Sequence, residues 1–230
     1  MLYDLDFSII PESIPYLFGQ GMALSITLTL LAGAMALALG AVLAVCRLSP
    51  SKVLSVPAGL YVNLFRSVPL LLVIFWFYFL VPYLTAWVIG SPRPVQVGAY
   101  RSALVSFTLF EAAYFCEIIR AGIQAIPRGQ ISASLALGLT YRHALLSVII
   151  PQALQKMTPS LLTRMIVLFQ DTSLVYVISL TDFLGAASKI GQRDGRLTEM
   201  FIFAAFVYLV ICFTASQMVK LVDKKGYLRR

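Results

Sequence analysis

Six charged residues, Arg66, Glu111, Glu117, Arg120, Arg164 and Asp171, stand inside long apolar stretches of this chain. A charge at the centre of a bilayer costs roughly 2.5–3.5 kcal/mol or more unless it faces a cavity or a partner, so each must be matched or used. Glu117 and Arg120 are three residues apart on one helical face and are placed to pair near one end of their segment. Arg66, at a similar depth on the preceding segment, is placed to join them. Arg164 follows Pro151 by 13 residues, about 20 Å along a helix, which puts it near the middle of a bilayer. Glu111 is also near mid-membrane. Two readings stand for this pair: an ion pair that joins two helices, or a cation that meets a carboxylate in a translocation path.

Acid–base, nucleophilic and phosphate-transfer chemistry find no equipment here. The sequence has no Gly-x-x-x-x-Gly-Lys-Ser/Thr phosphate loop, no Gly-x-Gly-x-x-Gly and no His-Glu-x-x-His, and its one histidine is His143. The chain is expected not to be an enzyme. Cys46, Cys116 and Cys212 sit singly in apolar segments and read as small buried hydrophobes, with no metal expected.

The elements that must position these charges are membrane helices. With 60% hydrophobic and 12% charged residues and a mean hydropathy of +0.87, the 230-residue chain would aggregate as a soluble domain. Five spans are expected in an all-α membrane protein forming a single transmembrane domain over 1–230, at about 22–45, 56–81, 98–125, 145–180 and 200–222. The first is rich in Gly, Ala, Ser and Thr, which let helices approach closely. Pro82, Pro92 and Pro94 are expected to break the chain after the second. The fourth carries Gln170 and Asp171 in its interior, so a bend or half-helix is expected there.

Lysine and arginine bias sets the orientation. Arg47 and Lys52, Arg128 and Arg142, and Lys220, Lys224, Lys225, Arg229 and Arg230 follow spans one, three and five. Those ends are expected in the cytoplasm, and the N-terminus, with Asp4, Asp6 and Glu12, outside. Lys189, Arg193 and Arg196 run against this bias, offset in part by Asp182, Asp194 and Glu199. The net charge of +8 then belongs to topology and anionic lipid, and nucleic-acid binding is not expected. Acidic residues before a long first apolar stretch argue for a retained helix over a cleaved signal peptide.

Between Pro127 and Pro151 the chain is too polar to cross lipid, and something outside the bilayer must hold it. Its pattern of a small-residue pair, Leu137-Gly138, then Val148-Ile-Ile150-Pro151, resembles the cytoplasmic "EAA" loop of ATP-binding-cassette (ABC) importer permeases. Ser132 stands where that family usually has Glu, and Ser134 replaces the second Ala. The resemblance extends to Tyr61-Val-Asn-Leu-Phe-Arg66-Ser-Val-Pro69, Ala113-Tyr114-Phe-Cys-Glu117-Ile-Ile-Arg120-Ala-Gly122 and Asp171-Thr172-Ser173-Leu174-Val175, and covers about residues 20–222. Within polar-amino-acid permeases it is closest to glutamate/aspartate importer subunits of Gram-negative bacteria, through Phe110-Glu111-Ala-Ala-Tyr114, Phe169-Gln170-Asp171 and Gly191-Gln-Arg-Asp-Gly195.

The resemblance implies a type I ABC importer permease fold in the bacterial inner membrane. It implies an ABC ATPase dimer holding ATP and Mg²⁺, a second permease subunit that is a related but different chain, and a periplasmic amino-acid-binding protein. It also implies that Arg128, Gly129, Ser132, Ala133, Leu135, Leu137, Gly138 and Arg142 dock the ATPase. Arg164, Glu111, Gln170, Asp171 and Ser173 are the candidate substrate-binding residues. Many relatives for basic or neutral amino acids carry Glu in place of Arg164 and Lys in place of Gln170. A cation at mid-membrane suits an acidic substrate, as an anion would suit a basic one. A permease for another polar amino acid is the nearest alternative. A secondary transporter would show inverted repeats, which this chain lacks. A purely structural membrane subunit would not need the basic loop or the mid-membrane arginine.

Overall fold

The computed structural model describes residues 5–227, with the side chains of Arg128 and of 224–227 outside that description. It is all-helical among the described residues, as expected. We number the helices α1 (Ile10–Leu48), α2 (Lys52–Ser67), α3 (Leu70–Ile89), α4 (Ala99–Gln124), α5 (Arg128–Ala136), α6 (Tyr141–Ile178), α7 (Phe183–Asp194) and α8 (Leu197–Tyr227). Five of them, α1, α3, α4, α6 and α8, are long and apolar enough to cross a membrane.

The second expected span is divided otherwise than the sequence suggests. The helix breaks at Val68 and Pro69 and does not break at Pro82. Pro69 has ψ 135°, extended backbone from which α3 starts afresh, whereas Pro82 is carried through to Ile89, where Gly90 at φ +69° ends the helix. A π-helical turn over Trp76–Leu80 makes this passage feasible, with the Val81 N–H donating to the Trp76 carbonyl. The wider turn takes up the bond that proline cannot make and relieves its ring against the preceding turn. The same device recurs at Leu145–Ile149, just before Pro151, with Ile150 N–H donating to Leu145. In α6, just past Gln170 and Asp171, the helix tightens to 3₁₀ geometry over Thr172–Ile178 and ends at Ser179, φ +65°.

Packing gathers the chain into two compact units, and four of the long helices, α1, α4, α6 and α8, contribute to both. The first comprises Met1–Ala34, Val68–Thr108 and Ile166–Ala215. Its core includes Leu17, Met22, Phe169, Phe183, Ala186 and Met200. Gly21 lets α1 lie directly on α7, since a Cβ there would meet Ala186 Cβ at 2.9 Å. The second comprises Met35–Ser67, Leu109–Met165 and Ser216–Arg230. There Gly40 brings α1 against α4, where a Cβ would stand 2.8 Å from Phe115 Cβ, and Gly122 brings α4 against Met157 of α6. Small residues at helix contacts are the usual way for helices to associate in lipid, where no hydrophobic effect drives them together.

The helix α7 lies between the fourth and fifth expected spans, where the sequence analysis places no element. Its start is fixed by Asp182, fully buried, whose carboxylate accepts the N–H groups of Leu184 and Gly185 at 3.0 Å each, while the Phe183 N–H donates to Ser25 Oγ at 3.1 Å. An aspartate directly before the first helical residue is a legible cap signal. Burial lifts the Asp182 pKa to about 6, against the pull of the backbone N–H groups that stabilise the charge. A folded-state pKa above the usual 3.8 means that ionisation opposes folding. Stability is therefore expected to fall as pH rises from about 4 to about 6, then level off. Asp182→Asn, which keeps an acceptor without the charge, should flatten that profile, and Asp182→Ala should lose about 1 kcal/mol of cap at any pH. Thermal melts of the purified protein at pH 4.5 and pH 7.5 check both.

Candidate functional site

In the second unit α4 and α6 bring Glu111 and Arg164 together. Arg164 Nε donates to Glu111 Oε2 and Nη2 to Oε1, both at 2.6 Å, a bidentate charge-assisted pair. The Glu111 side chain is 0% exposed and that of Arg164 16%. The Arg164 guanidinium carbon also lies 3.8 Å from the centroid of the Tyr114 ring, close enough for strong cation–π attraction. One turn of α4 beyond Glu111, the same ring has Arg66 Cζ at 5.5 Å. Tyr114 thus has two arginines near its ring, one held by a bidentate carboxylate and one with a 4.0 Å ion contact.

Glu117 carries the second charge cluster. Arg120 Nη2 and Arg47 Nη1 each reach it at 2.7 Å, and Arg66 Nη1 at 4.0 Å. The expected local pair and the approach of Arg66 are both present. The part played by Arg47, at the end of α1, was missed, because a contact over 70 residues of sequence leaves no local periodicity to read. Three guanidiniums on one partly buried carboxylate bind the ends of α1, α2 and α4 to a common point.

Of the other candidate substrate residues, Gln170, Asp171 and Ser173 belong to the first unit. They bracket the step from α-helix to 3₁₀ geometry, where Thr172 Oγ1 donates to the Phe169 carbonyl at 2.7 Å. Gln170 is exposed, and Asp171 and Ser173 are half-buried.

The polar interval between α4 and α6 folds as a helix held on one side and open on the other. Ile131 packs on Ile126, Ile149 and Ala153, and buried Ser134 donates to the Gln130 carbonyl at 2.7 Å. The opposite side, with Gly129, Ser132, Ala133 and Leu135, is exposed, and so is Leu137 just past the helix, at 83%. Gly138 ends α5 in a Schellman turn: its N–H donates to Leu135 at 3.0 Å, and the Leu139 N–H donates to Ser134 at 3.2 Å. The glycine φ is +83°, a left-handed conformation that other residues adopt with strain. Thr140 then caps the start of α6, accepting from the His143 N–H, and Arg142 is exposed on its first turn. The Arg128 side chain lies outside the described residues.

Residues 36–225 match the family described as binding-protein-dependent transport system inner membrane component. Over its whole length the chain is 48% identical to 99% of the glutamate/aspartate import permease protein GltK of Escherichia coli O6:H1. It is 32% identical to the arginine transport system permease protein ArtQ of Bacillus subtilis, over 96% of this chain and 97% of that one. A solved structure described as an amino acid ABC transporter with histidines superimposes with a TM-score of 0.86 at 29% identity. That match covers 96% of this chain and 99% of the other.

Proposed function

This chain belongs to the family of binding-protein-dependent transport system inner membrane components, and from that premise we propose that it imports acidic amino acids, glutamate and aspartate. It is a multi-pass inner-membrane permease of the polar-amino-acid ABC type and not itself an enzyme. The observation that carries the substrate class is the 48% identity along the full length to a glutamate/aspartate import permease. A mid-membrane Arg164 agrees with it chemically.

The proposed assembly is this permease with a second, related permease chain, a dimeric ATPase that holds ATP and Mg²⁺, and a periplasmic binding protein. The N-terminus is periplasmic and the C-terminus cytoplasmic, as the arginines and lysines beside α5 and α8 favour. ATP binding closes the ATPases. They push on α5 through the exposed face that includes Leu135 and Leu137, and the Gly138 turn passes the movement to α6. Arg164, paired with Glu111 in the empty state, exchanges that partner for a substrate carboxylate, with Gln170, Asp171 and Ser173 lining or gating the path.

The test is uptake. Co-expression with the candidate ATPase and second permease should give a complex that co-purifies in detergent. In proteoliposomes supplied with the binding protein, that complex should take up labelled glutamate and aspartate only with ATP on the ATPase side. Uptake of arginine or histidine in preference to glutamate would sink the substrate class, and uptake driven by an ion gradient without ATP would sink the mechanism.

A further inference from the structure

We infer that the outer ends of α1 and α7 form a second amino-acid site, in which Glu12 takes the ammonium group of an acidic amino acid and Lys189 and Arg193 take its carboxylates. This rests on the acidic-import reading above, with the N-terminus outside, and adds a place where substrate is held before it enters the membrane. The site is a cavity of about 490 Å³ within the first unit, lined by Glu12, Ser13 and Tyr16 of α1 and by Lys189, Ile190 and Arg193 of α7. Its volume suits a small molecule. Ser13 and Ile190 are each 5% exposed, and a Cβ at Gly21 would collide with Ala186, so the two walls are packed together before any ligand arrives.

Opposite charges line this space and do not meet. Glu12 is exposed and has no ion-pair partner among the described residues, although Lys189 and Arg193 line the same cavity. Lys189 donates to a neutral group, Thr181 Oγ1, so its charge is uncompensated. Arg193 gives Nε and Nη2 to its neighbour Asp194, at 2.9 and 2.7 Å, and keeps Nη1. A carboxylate held apart from two cations across a small cavity is complementary to a dipolar ion with one ammonium and two carboxylates. Glutamate and aspartate have that pattern. A neutral amino acid leaves one cation idle, and arginine brings a further positive charge against it. The location needs a reason as well. Cations in a short outer loop oppose the inside preference of lysine and arginine, so each calls for a use. Arg196 has one: it donates to the Asp6 carbonyl at 2.9 Å and pairs with the Asp6 carboxylate, tying the chain ahead of α1 to the start of α8. Lys189 and Arg193 reach Thr181 and Asp194, both close in sequence, and anion capture supplies their use.

Ile9, half-buried and also lining the cavity, provides the reporter. The complete complex, both permeases with the ATPases, carries Ile9→Cys in a chain whose Cys46, Cys116 and Cys212 are replaced by alanine. In nanodiscs without binding protein, maleimide labelling of Ile9→Cys is timed by mass spectrometry with no ligand, with glutamate, with glutarate, which lacks the ammonium, and with arginine. Glutamate should slow labelling more than glutarate, and Glu12→Gln should erase that difference. Lys189→Gln should raise the half-protecting glutamate concentration about three- to fivefold, the order of one exposed charge contact. Both side chains are exposed, so neither change threatens the fold. Protection should persist in Glu111→Gln/Arg164→Gln, because it arises in the outer cavity. No protection by glutamate, protection that Glu12→Gln and Lys189→Gln both leave intact, or protection that vanishes with the Glu111–Arg164 pair would overturn the outer site. So would protection that needs the ligand-free binding protein, which would make the cavity a protein contact. Glutamate uptake by the same complex without protection removes the outer site alone; protection by arginine and its uptake in place of glutamate defeat the acidic-import reading with it.

Discussion

Gly138→Arg should reach the membrane in normal amount and carry no transport-coupled ATP hydrolysis. The reason is that the position is strained by conformation and open in space. Among the described residues a Cβ on Gly138 meets nothing within 4 Å, so the first side-chain atom enters open space. The intramolecular penalty is that of placing an L-residue at φ +83°, about 1–2 kcal/mol. That is too little to undo five apolar helices, and insertion is unaffected. The Schellman turn, however, sets the angle at which the chain leaves α5, and it sits beside exposed Leu135 and Leu137, the residues proposed to enter the ATPase. Shifting the turn and adding a long cation there attacks the docking face directly. A graded series separates strain from bulk. Gly138→Asn, which tolerates the left-handed region, should keep most activity; Gly138→Ala should keep an intermediate share; Gly138→Arg should fall to background. Substrate-stimulated ATPase rates of the purified complex read all three. Wild-type uptake by Gly138→Arg would sink the docking role of this loop.

How far such features could be read without coordinates depended on whether their cause is local. The turn that ends α5 has a local cause, a glycine at φ +83°, and the five-span count was legible because apolar length is a local property. The change to 3₁₀ geometry from Thr172 falls just past Gln170 and Asp171, the polar pair in that apolar run. Pro82 misled, because a proline announces a missing hydrogen bond and does not announce the π-helical turn over Trp76–Leu80 that absorbs it. The helix α7 has an ordinary cap in Asp182, but Gly185, Gly191 and the charges at Lys189 and Arg193 give it the composition of a loop. The Glu111–Arg164 pair has a local signal too, two opposite charges each set well inside an apolar stretch. The convergence of Arg164 and Arg66 on Tyr114 could not be named, since it depends on the relative rotation of α2, α4 and α6, which periodicity leaves undetermined.

Removing both charges of the Glu111–Arg164 pair should restore the fold and not the transport. Either single change takes the bidentate ion pair from a buried charge: Arg164→Gln removes the guanidinium facing a carboxylate that is 0% exposed, and Glu111→Gln removes the carboxylate facing a guanidinium that is 16% exposed. Each should lose about 3–5 kcal/mol of stability. Glu111→Gln/Arg164→Gln leaves two neutral amides able to bond to each other, and replacing a buried pair as a whole is often close to neutral, so the double variant should melt near wild type. Transport answers a different question. If the arginine only joins α4 to α6, uptake recovers together with the melting temperature. If it exchanges Glu111 for the substrate, recovery of the fold leaves the permease without its carboxylate ligand. Binding of glutamate and aspartate should then stay roughly 10–100-fold weaker, the worth of about 1.5–3 kcal/mol for a charge-assisted contact. A permease variant that works without the binding protein is the best background, because delivery no longer masks the selectivity of the membrane site. Melting curves and uptake measured on the same four proteins form a double-mutant cycle with two readouts. Coupling in stability alone, with full acidic amino-acid uptake by the double variant, would reject Arg164 as a substrate ligand; coupling in stability with uptake still lost would place the arginine in the path.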